Sequence, residues 1–291
     1  MLWLSLAAGL AWGEPIGLPQ TTGVRSSPTF SPGGQYLLVG AGTPLAASWN
    51  LWDVPAGKLV QAIAAPKEAE TYGVETAAAS FSGDGKTQAV VFVYDKLRKV
   101  RAQVWRDGKM VYEHVGTNWS PDIEIALSPD ASLVLLRGWN LGGVTKGRTG
   151  DTRVVSLLEP KQTRLVEQSF RGWTVDSKML VSDGDKAFKV EPLSGAVLEQ
   201  IPSKGRERQT WGKMGWPVLG GTDLTIRYEK RMGKGRADLV YQSNGKVLAS
   251  WPQLYGYSLD PRGNFIAAVT KEGVVLIDLK ASAAAGTLRT L

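Results

Sequence analysis

The residues that could do chemistry in this 291-residue chain are few. It has no cysteine and one histidine, His114. The missing thiols exclude disulfides, thiolate catalysis and cysteine-bound metals, and a lone imidazole excludes histidine-rich zinc sites. Only His114 could serve a Ser-His-Asp triad, and the chain contains neither a Gly-x-Ser-x-Gly elbow nor a His-Glu-x-x-His motif. We therefore predict no catalytic residue, no metal site and no cofactor.

Two short motifs have simpler explanations than ligand binding. Residues 182–185 read Ser-Asp-Gly-Asp and offer two carboxylates, but calcium takes more oxygen ligands than that. The segment is more typical of a hairpin tip. Residues 233–235 read Gly-Lys-Gly, but no helix pattern follows them, as a phosphate-binding loop would require.

Basic residues form the clearest clusters. The formal net charge is +7 and the sequence pI is about 9.5, which suits an anionic partner. We predict a partner-binding site made of Lys96, Arg98, Lys99, Arg101, Trp139, Lys146, Arg148, Lys230, Arg231, Lys234 and Arg236. Nucleic acid is not the expected partner, because these clusters lack interleaved aromatic residues for base stacking.

The elements that must position these clusters are short strands. Runs rich in Val, Leu, Ile and Trp alternate with turns of Gly, Pro, Asn and Asp, and no long helical period follows residue 28. Two kinds of turn alternate strictly, with a period of about 47 residues, close to a four-stranded propeller blade. This pattern predicts an all-β fold, a single β-propeller of four-stranded blades, with six blades and seven as the alternative.

Residues 30–40, FSPGGQYLLVG, and residues 50–60, NLWDVPAGKLV, resemble a WD40-type propeller repeat. Residues 104–111, 127–136 and 259–268 are similar to degenerate copies of it. Only Trp52-Asp53 supplies the named dipeptide, and no Gly-His pair occurs, so the buried His-Asp network of eukaryotic repeats is not expected. The nearer resemblance is to bacterial WD40-like or YVTN-like propellers.

Strands a to d of each blade separate the predicted connections into two faces. The a–b and c–d turns, short and nearly neutral, belong to one face, which we call the turn face. The b–c segments belong to the opposite b–c face, where the basic clusters of blades 2, 3 and 5 fall. In a ring of six blades, blades 2 and 5 would lie on opposite sides of the central channel. The alternative is that charged hairpin tips only keep the protein soluble and discourage pairing between strand edges.

Residues 2–12 form an uncharged apolar run too short to span a bilayer, and a small-residue pattern predicts cleavage before Glu14. We expect a signal peptide at 1–13, an N-terminal extension or closing strand at 14–28 and the propeller at 29–291. The localisation would be secreted or periplasmic, without a transmembrane span.

These expectations combine into a non-enzymatic, monomeric binding scaffold whose b–c face meets a protein or an anionic envelope polymer. Two alternatives stay open. One is a hydrolase or lyase that uses carboxylates in the central channel, and the other is a subunit of a self-associating envelope assembly.

Overall fold

The structure is a computed structural model that describes residues 28–43, 45–67, 73–94, 99–140, 151–184, 186–201, 215–217, 225–230, 237–243, 246–254, 256–262, 264–269, 274–278 and 289–290. Within these residues the chain forms 23 strands and no helix. The predicted signal peptide and the extension lie outside them, apart from Pro28, so the domain boundaries stay predictions.

The strands follow one another as antiparallel neighbours. Blade 1 contains β1 (Thr29–Phe30), β2 (Tyr36–Ala41), β3 (Ser48–Asp53) and β4 (Lys58–Ala64). Blade 2 contains β5 (Glu75–Phe81), β6 (Thr87–Tyr94), β7 (Lys99–Arg106) and the first part of β8 (Lys109–Leu127). Blade 3 contains the rest of β8, then β9 (Leu133–Asn140), β10 (Asp151–Ser156) and β11 (Thr163–Val166).

The second half of the chain repeats the arrangement. Blade 4 contains β12 (Ser169–Trp173), β13 (Met179–Asp183), β14 (Lys186–Val190) and β15 (Val197–Ile201). Blade 5 contains β16 (Gly215–Pro217), β17 (Thr225–Lys230), β18 (Ala237–Ser243) and β19 (Lys246–Leu254). Blade 6 contains β20 (Gly256–Leu259), β21 (Phe265–Val269), β22 (Val274–Asp278) and β23 (Arg289–Thr290).

Blades 2 and 3 share one strand, which the sequence did not predict. They form a seven-stranded sheet, whereas the other four sheets have four strands. Residues 109–117 of β8 pair with β7, and residues 117–127 pair with β9. The register shifts between Trp119 and Glu124, around Pro121, which has no N–H to donate. This bulge carries the chain between blades without a separate crossing loop.

Neighbouring blades pack face to face through apolar clusters. One cluster joins Trp49 and Ile63 of blade 1 to Val90 and Phe92 of blade 2. Blades 2 and 3 share another cluster, and blades 3 and 4 share a third. Blades 1, 2 and 3 therefore bury both faces of their sheets, which explains fully buried runs such as β6.

The first and last sheets also pack together. Phe30, Leu37 and Val39 of blade 1 form a cluster with Ala267 and Leu276 of blade 6. This contact brings the two ends of the row of sheets together. The predicted all-β propeller of four-stranded blades is confirmed, and so is the WD40-like resemblance at the level of fold. The number of blades in the whole chain stays a prediction.

Candidate binding surface

The a–b turns share a hydrogen-bond pattern set by their first side chain. In blade 2 the Ser82 hydroxyl donates to Asp84 Oδ1 at 2.6 Å and accepts from the Thr87 N–H at 3.0 Å. Ser128 makes the same pair of bonds in blade 3, to Asp130 and from Leu133. Each turn is thus held by its own side chains. The recurring Ser-x-Asp spacing in the sequence predicts the turns but not these side-chain hydrogen bonds.

Thr174 and Asp260 begin the corresponding turns of blades 4 and 6. The Thr174 hydroxyl donates to Asp176 Oδ1 and accepts from the Lys178 N–H at 2.9 Å. In blade 6 a carboxylate replaces the hydroxyl, because Asp260 accepts from the N–H groups of Arg262 and Asn264 at 3.1 and 3.0 Å. We call the five turns that begin at Ser31, Ser82, Ser128, Thr174 and Asp260 the collar.

Adjacent turns of the collar contact one another. The Gly83 N–H donates to the Pro129 carbonyl at 2.8 Å, and the Asp130 N–H donates to Ser177 Oγ at 3.1 Å. Gly34 approaches blade 6 so closely that a Cβ on it would lie 2.0 Å from Asp260 Oδ1. The collar therefore links blade 6 to blade 1, and blade 2 through blade 3 to blade 4, on the turn face. The b–c segments of these blades lie at the other end of the strands.

The carboxylates of the collar are held in their ionised form. A hydrogen bond from Ser82, outweighing partial burial, lowers the pKa of Asp84. Burial would raise the pKa of Asp130, but the hydroxyls of Ser128 and Ser132 and the Ser132 N–H overcome it and lower that pKa. Hydrogen bonds from Thr174 and then Lys189 lower the pKa of Asp176 to about 2. These side chains serve the turns as acceptors.

Two of the predicted binding residues, Lys99 and Arg101, lie in the described part of blade 2. Lys99 and Arg101 belong to β7 rather than to a loop, because the ladder continues to the pair Tyr94–Lys99. The Lys99 side chain is exposed. Arg101 Nη1 lies 3.1 Å from Glu113 Oε1 on β8, so its charge is balanced within the blade. The sequence reasoning did not identify Glu113 as its partner.

The other predicted binding residues are positioned only in part. Trp139, expected in the b–c segment of blade 3, lies in β9 opposite Trp119 of β8. Lys230 ends β17 and pairs with Ala237. The strands extend further than expected because ladder hydrogen bonds use backbone groups and tolerate charged residues. Outside the described residues lie Lys96, Arg98, Lys146, Arg148, Arg231, Lys234 and Arg236.

The Ser-Asp-Gly-Asp segment and the single histidine both belong to strands or their connections. Asp183 pairs with Lys186 across Gly184, whose φ is +57°, so the hairpin tip is confirmed. His114 is half-buried in β8. Among the described residues no group of three or more His, Asp or Glu side chains could hold a metal ion. In the same part of the chain no helix could cross a membrane.

A cleft of about 340 Å³ lies between blades 1 and 2. Its blade 1 wall consists of Tyr36, Leu51, Val60 and Gln61, and its blade 2 wall consists of Gly85, Lys86, Gln88, Asp107 and Gly108. The last five residues belong to or adjoin the turns of blade 2. The cleft therefore lies beside the turn face, and none of the predicted binding residues lines it.

No family model and no curated protein matches the chain. Solved structures that align with it include the uncharacterized protein lmo1340 from Listeria monocytogenes EGD-e, at 10% identity and TM-score 0.48, covering 96% of this chain and 86% of that one. TolB from Acinetobacter baumannii aligns at 15% identity and TM-score 0.43, over 85% of this chain and 61% of that one.

The C-terminal WD40 domain of Sif2 aligns at 13% identity and TM-score 0.37, over 91% of this chain and 70% of that one. Such low identities and TM-scores carry no argument about activity or partners. The propeller assignment therefore depends on the sheet order, the clusters between blades and the collar.

Proposed function

We propose that this protein is an exported, non-enzymatic propeller that binds a protein or an anionic envelope polymer through its b–c face. One observation supports the choice of face. The collar packs the a–b turns against one another on the turn face, which leaves the b–c segments at the opposite ends of the strands. The basic clusters of the sequence fall in or beside those segments.

The ion pair of Arg101 reduces the number of cations in blade 2 that can attract a partner strongly. Because Glu113 lies within 3.1 Å of its guanidinium, Arg101 contributes less attraction for a partner than an unpaired cation would. The exposed Lys99 and the adjoining Lys96 and Arg98 then carry the surplus charge. A cationic rim of this kind raises the rate of encounter with an anion, and salt weakens it.

The test compares charge reversal on the two faces. The first variant carries Lys96→Glu, Arg98→Glu and Lys99→Glu. Its matched control carries Lys58→Glu, Lys86→Glu and Lys109→Glu, three exposed lysines in or after the turns of blades 1 and 2. Both variants change the net charge equally, so a difference between them reports the face rather than the total charge.

Binding of fluorescent poly-L-glutamate is measured by anisotropy over a range of salt concentrations. We expect the b–c variant to bind about tenfold more weakly and with a flatter salt dependence, while the control stays within about threefold of wild type. An equal loss in both variants would contradict a binding face. For export, N-terminal sequencing of protein from the native host is expected to begin at Glu14.

A further inference from the structure

Arg153 lies between blades 2 and 3, on the strand that follows the b–c segment of blade 3. It is on β10, opposite Leu136 of β9 and Leu165 of β11. Directly opposed residues of an antiparallel ladder share a face of the sheet. Leu136 belongs to the cluster shared with blade 2, and so does Val155, which lies two residues beyond Arg153 on β10. The Arg153 side chain therefore points toward blade 2.

Two polar side chains of blade 2 point back at it. Tyr112 and His114 on β8 pair with Val104 and Ala102 of β7, which belong to the same cluster. Both are half-buried. On the blade 3 side Leu165 is 47% exposed, so this end of the interface reaches solvent at the outer edge of the propeller. A cation, an imidazole, a phenol and an apolar side chain thus face the same interface between two blades.

Arg153 differs from Arg101 and Arg137 of these two blades because it makes no ion pair with a described residue. Arg101 and Arg137 pair with Glu113 and Glu124 at 3.1 and 3.2 Å. Arg153 Nε is buried and has no hydrogen-bond partner in the described part of the chain. Removing part of a guanidinium from water without an acceptor is costly, so an anion that reached it would gain from the pairing.

The charge of Arg153 also acts on its two neighbours. Burial lowers the pKa of His114, and Arg153 lowers it further. Burial raises the pKa of Tyr112, and Arg153 opposes that rise. At neutral pH the imidazole is therefore neutral and the phenol keeps its proton. Each group then carries one polar hydrogen.

We propose that Arg153, His114 and Tyr112 form a site for a carboxylate that carries an apolar chain, at the outer edge between blades 2 and 3. The planar guanidinium matches a carboxylate, and the imidazole and phenol supply neutral donors. The exposed side of Leu165 gives the apolar chain a surface to cover. The residues of this site are not among those of the proposed b–c binding face, and different variants test the two proposals, so either can fail without the other.

The lone histidine allows a direct test by NMR, because the imidazole signal of the whole protein belongs to His114. The probes are hexanoate and N-acetyl-leucine, which represent a free fatty acid and a peptide carboxyl terminus, with acetate and inorganic phosphate for comparison. Hexanoate or N-acetyl-leucine is expected to bind saturably and to raise the pKa of His114, since a nearby negative charge favours the imidazolium. The tighter of the two identifies the source of the carboxylate.

Arg153→Met keeps the apolar stem and removes the charge. It is expected to weaken binding at least tenfold and to raise the pKa of His114 without ligand. The matched control is Arg164→Met. Arg164 lies beside Leu165 on the same strand, but its Nη1 bonds the Pro192 carbonyl on the blade 4 side at 3.0 Å. That control should bind as wild type does.

Several results would overturn the proposal. They are the absence of any saturable shift of the His114 signals, equal binding by Arg153→Met, and phosphate or acetate binding as tightly as the longer carboxylates. If Arg153→Met does not fold, Arg153→Lys replaces it. Lysine keeps the charge but not the planar fork, so weaker binding with an unchanged His114 pKa is expected. Undiminished affinity in Arg153→Lys would also overturn the proposal.

Discussion

At the scale of single residues, the closure between blades 1 and 6 depends on a missing side chain. Gly34 has a φ of +66°, which glycine adopts at little cost, and the Asp260 carboxylate occupies the space where a Cβ would lie. Gly108 has a similar φ of +73°, but a Cβ there would have no neighbour within 4 Å. The two glycines thus separate backbone strain from steric exclusion.

We predict that Gly34→Ala lowers the free energy of unfolding by about 2–4 kcal/mol, since it combines strain with displacement of Asp260. Gly108→Ala should cost about 1 kcal/mol, from its φ alone. Urea unfolding followed by tryptophan fluorescence measures both. Equal losses would mean that blades 1 and 6 do not meet at this contact.

The acid response belongs to the same scale. Asp84, Asp130 and Asp176 have pKa values below the ordinary 3.8, so they stabilise the folded state above that pH. Their contribution is lost as the pH falls through the folded values, between about 4 and about 2 for Asp176. We predict that stability to urea declines across this window.

The corresponding Asn variants, combined in one protein, test the cause. They should be less stable than wild type at pH 7 and should show a flatter decline below pH 4, because fewer carboxylates take up protons on unfolding. A decline as steep as that of wild type would assign the acid response to other carboxylates.

At the scale of elements, one buried hydrogen bond connects blade 1 to blade 2. Trp49 is fully buried in β3, and its Nε1 donates to the Val91 carbonyl of β6 at 3.1 Å. Trp105 of β7 instead donates to Gln103 on its own strand and is only half-buried. The same substitution at these two positions therefore has different consequences.

Trp49→Phe should destabilise the protein by about 2–3 kcal/mol, because it leaves a buried carbonyl without its donor and opens a cavity. Trp105→Phe should cost roughly half as much. Hydrogen exchange is expected to rise in β6 for the first variant. Protection of β6 that matches wild type would show that the bond does not couple the blades.

The strands show how far the sequence could predict this fold. The Gly, Pro and Asp turns located the strands because they mark where a ladder must reverse. The predicted boundaries of the b–c segments were wrong at three places. Lys99, Trp139 and Lys230 belong to the ladders of β7, β9 and β17 instead. Ser120-Pro121-Asp122 looks like a turn, yet it lies within β8. Backbone pairing tolerates such residues at a solvent-facing end or bulge, so polarity alone misplaces the boundary.

The residues of a candidate site could be predicted from the sequence only where they are adjacent in one segment. Clusters such as Lys96 to Arg101 are visible because their charges are adjacent in sequence. The pairing of Arg101 with Glu113 and the meeting of Arg153 with His114 depend on strand register and on which blades face each other. No local pattern encodes such contacts.

At the scale of the whole molecule, the proposed b–c binding face depends on the closed ring. Closure between blade 1 and blade 6 puts the collar on one face and the b–c segments on the other. A blade alone exposes both faces of its small sheet, and closure removes the two exposed ends of the row. An open row would not define a disc with two faces.

A cysteine cross-link tests this closure most directly, because the chain has no cysteine of its own. A Cβ on Gly33 would lie 3.4 Å from Arg262 Nη2 of blade 6. A Gly33→Cys, Arg262→Cys variant treated with a short bis-maleimide should form an intramolecular link nearly completely. The control pair Gly33→Cys, Lys161→Cys, with its second site on blade 3, should not. Efficient linking of both pairs, or of neither, would contradict a closed propeller.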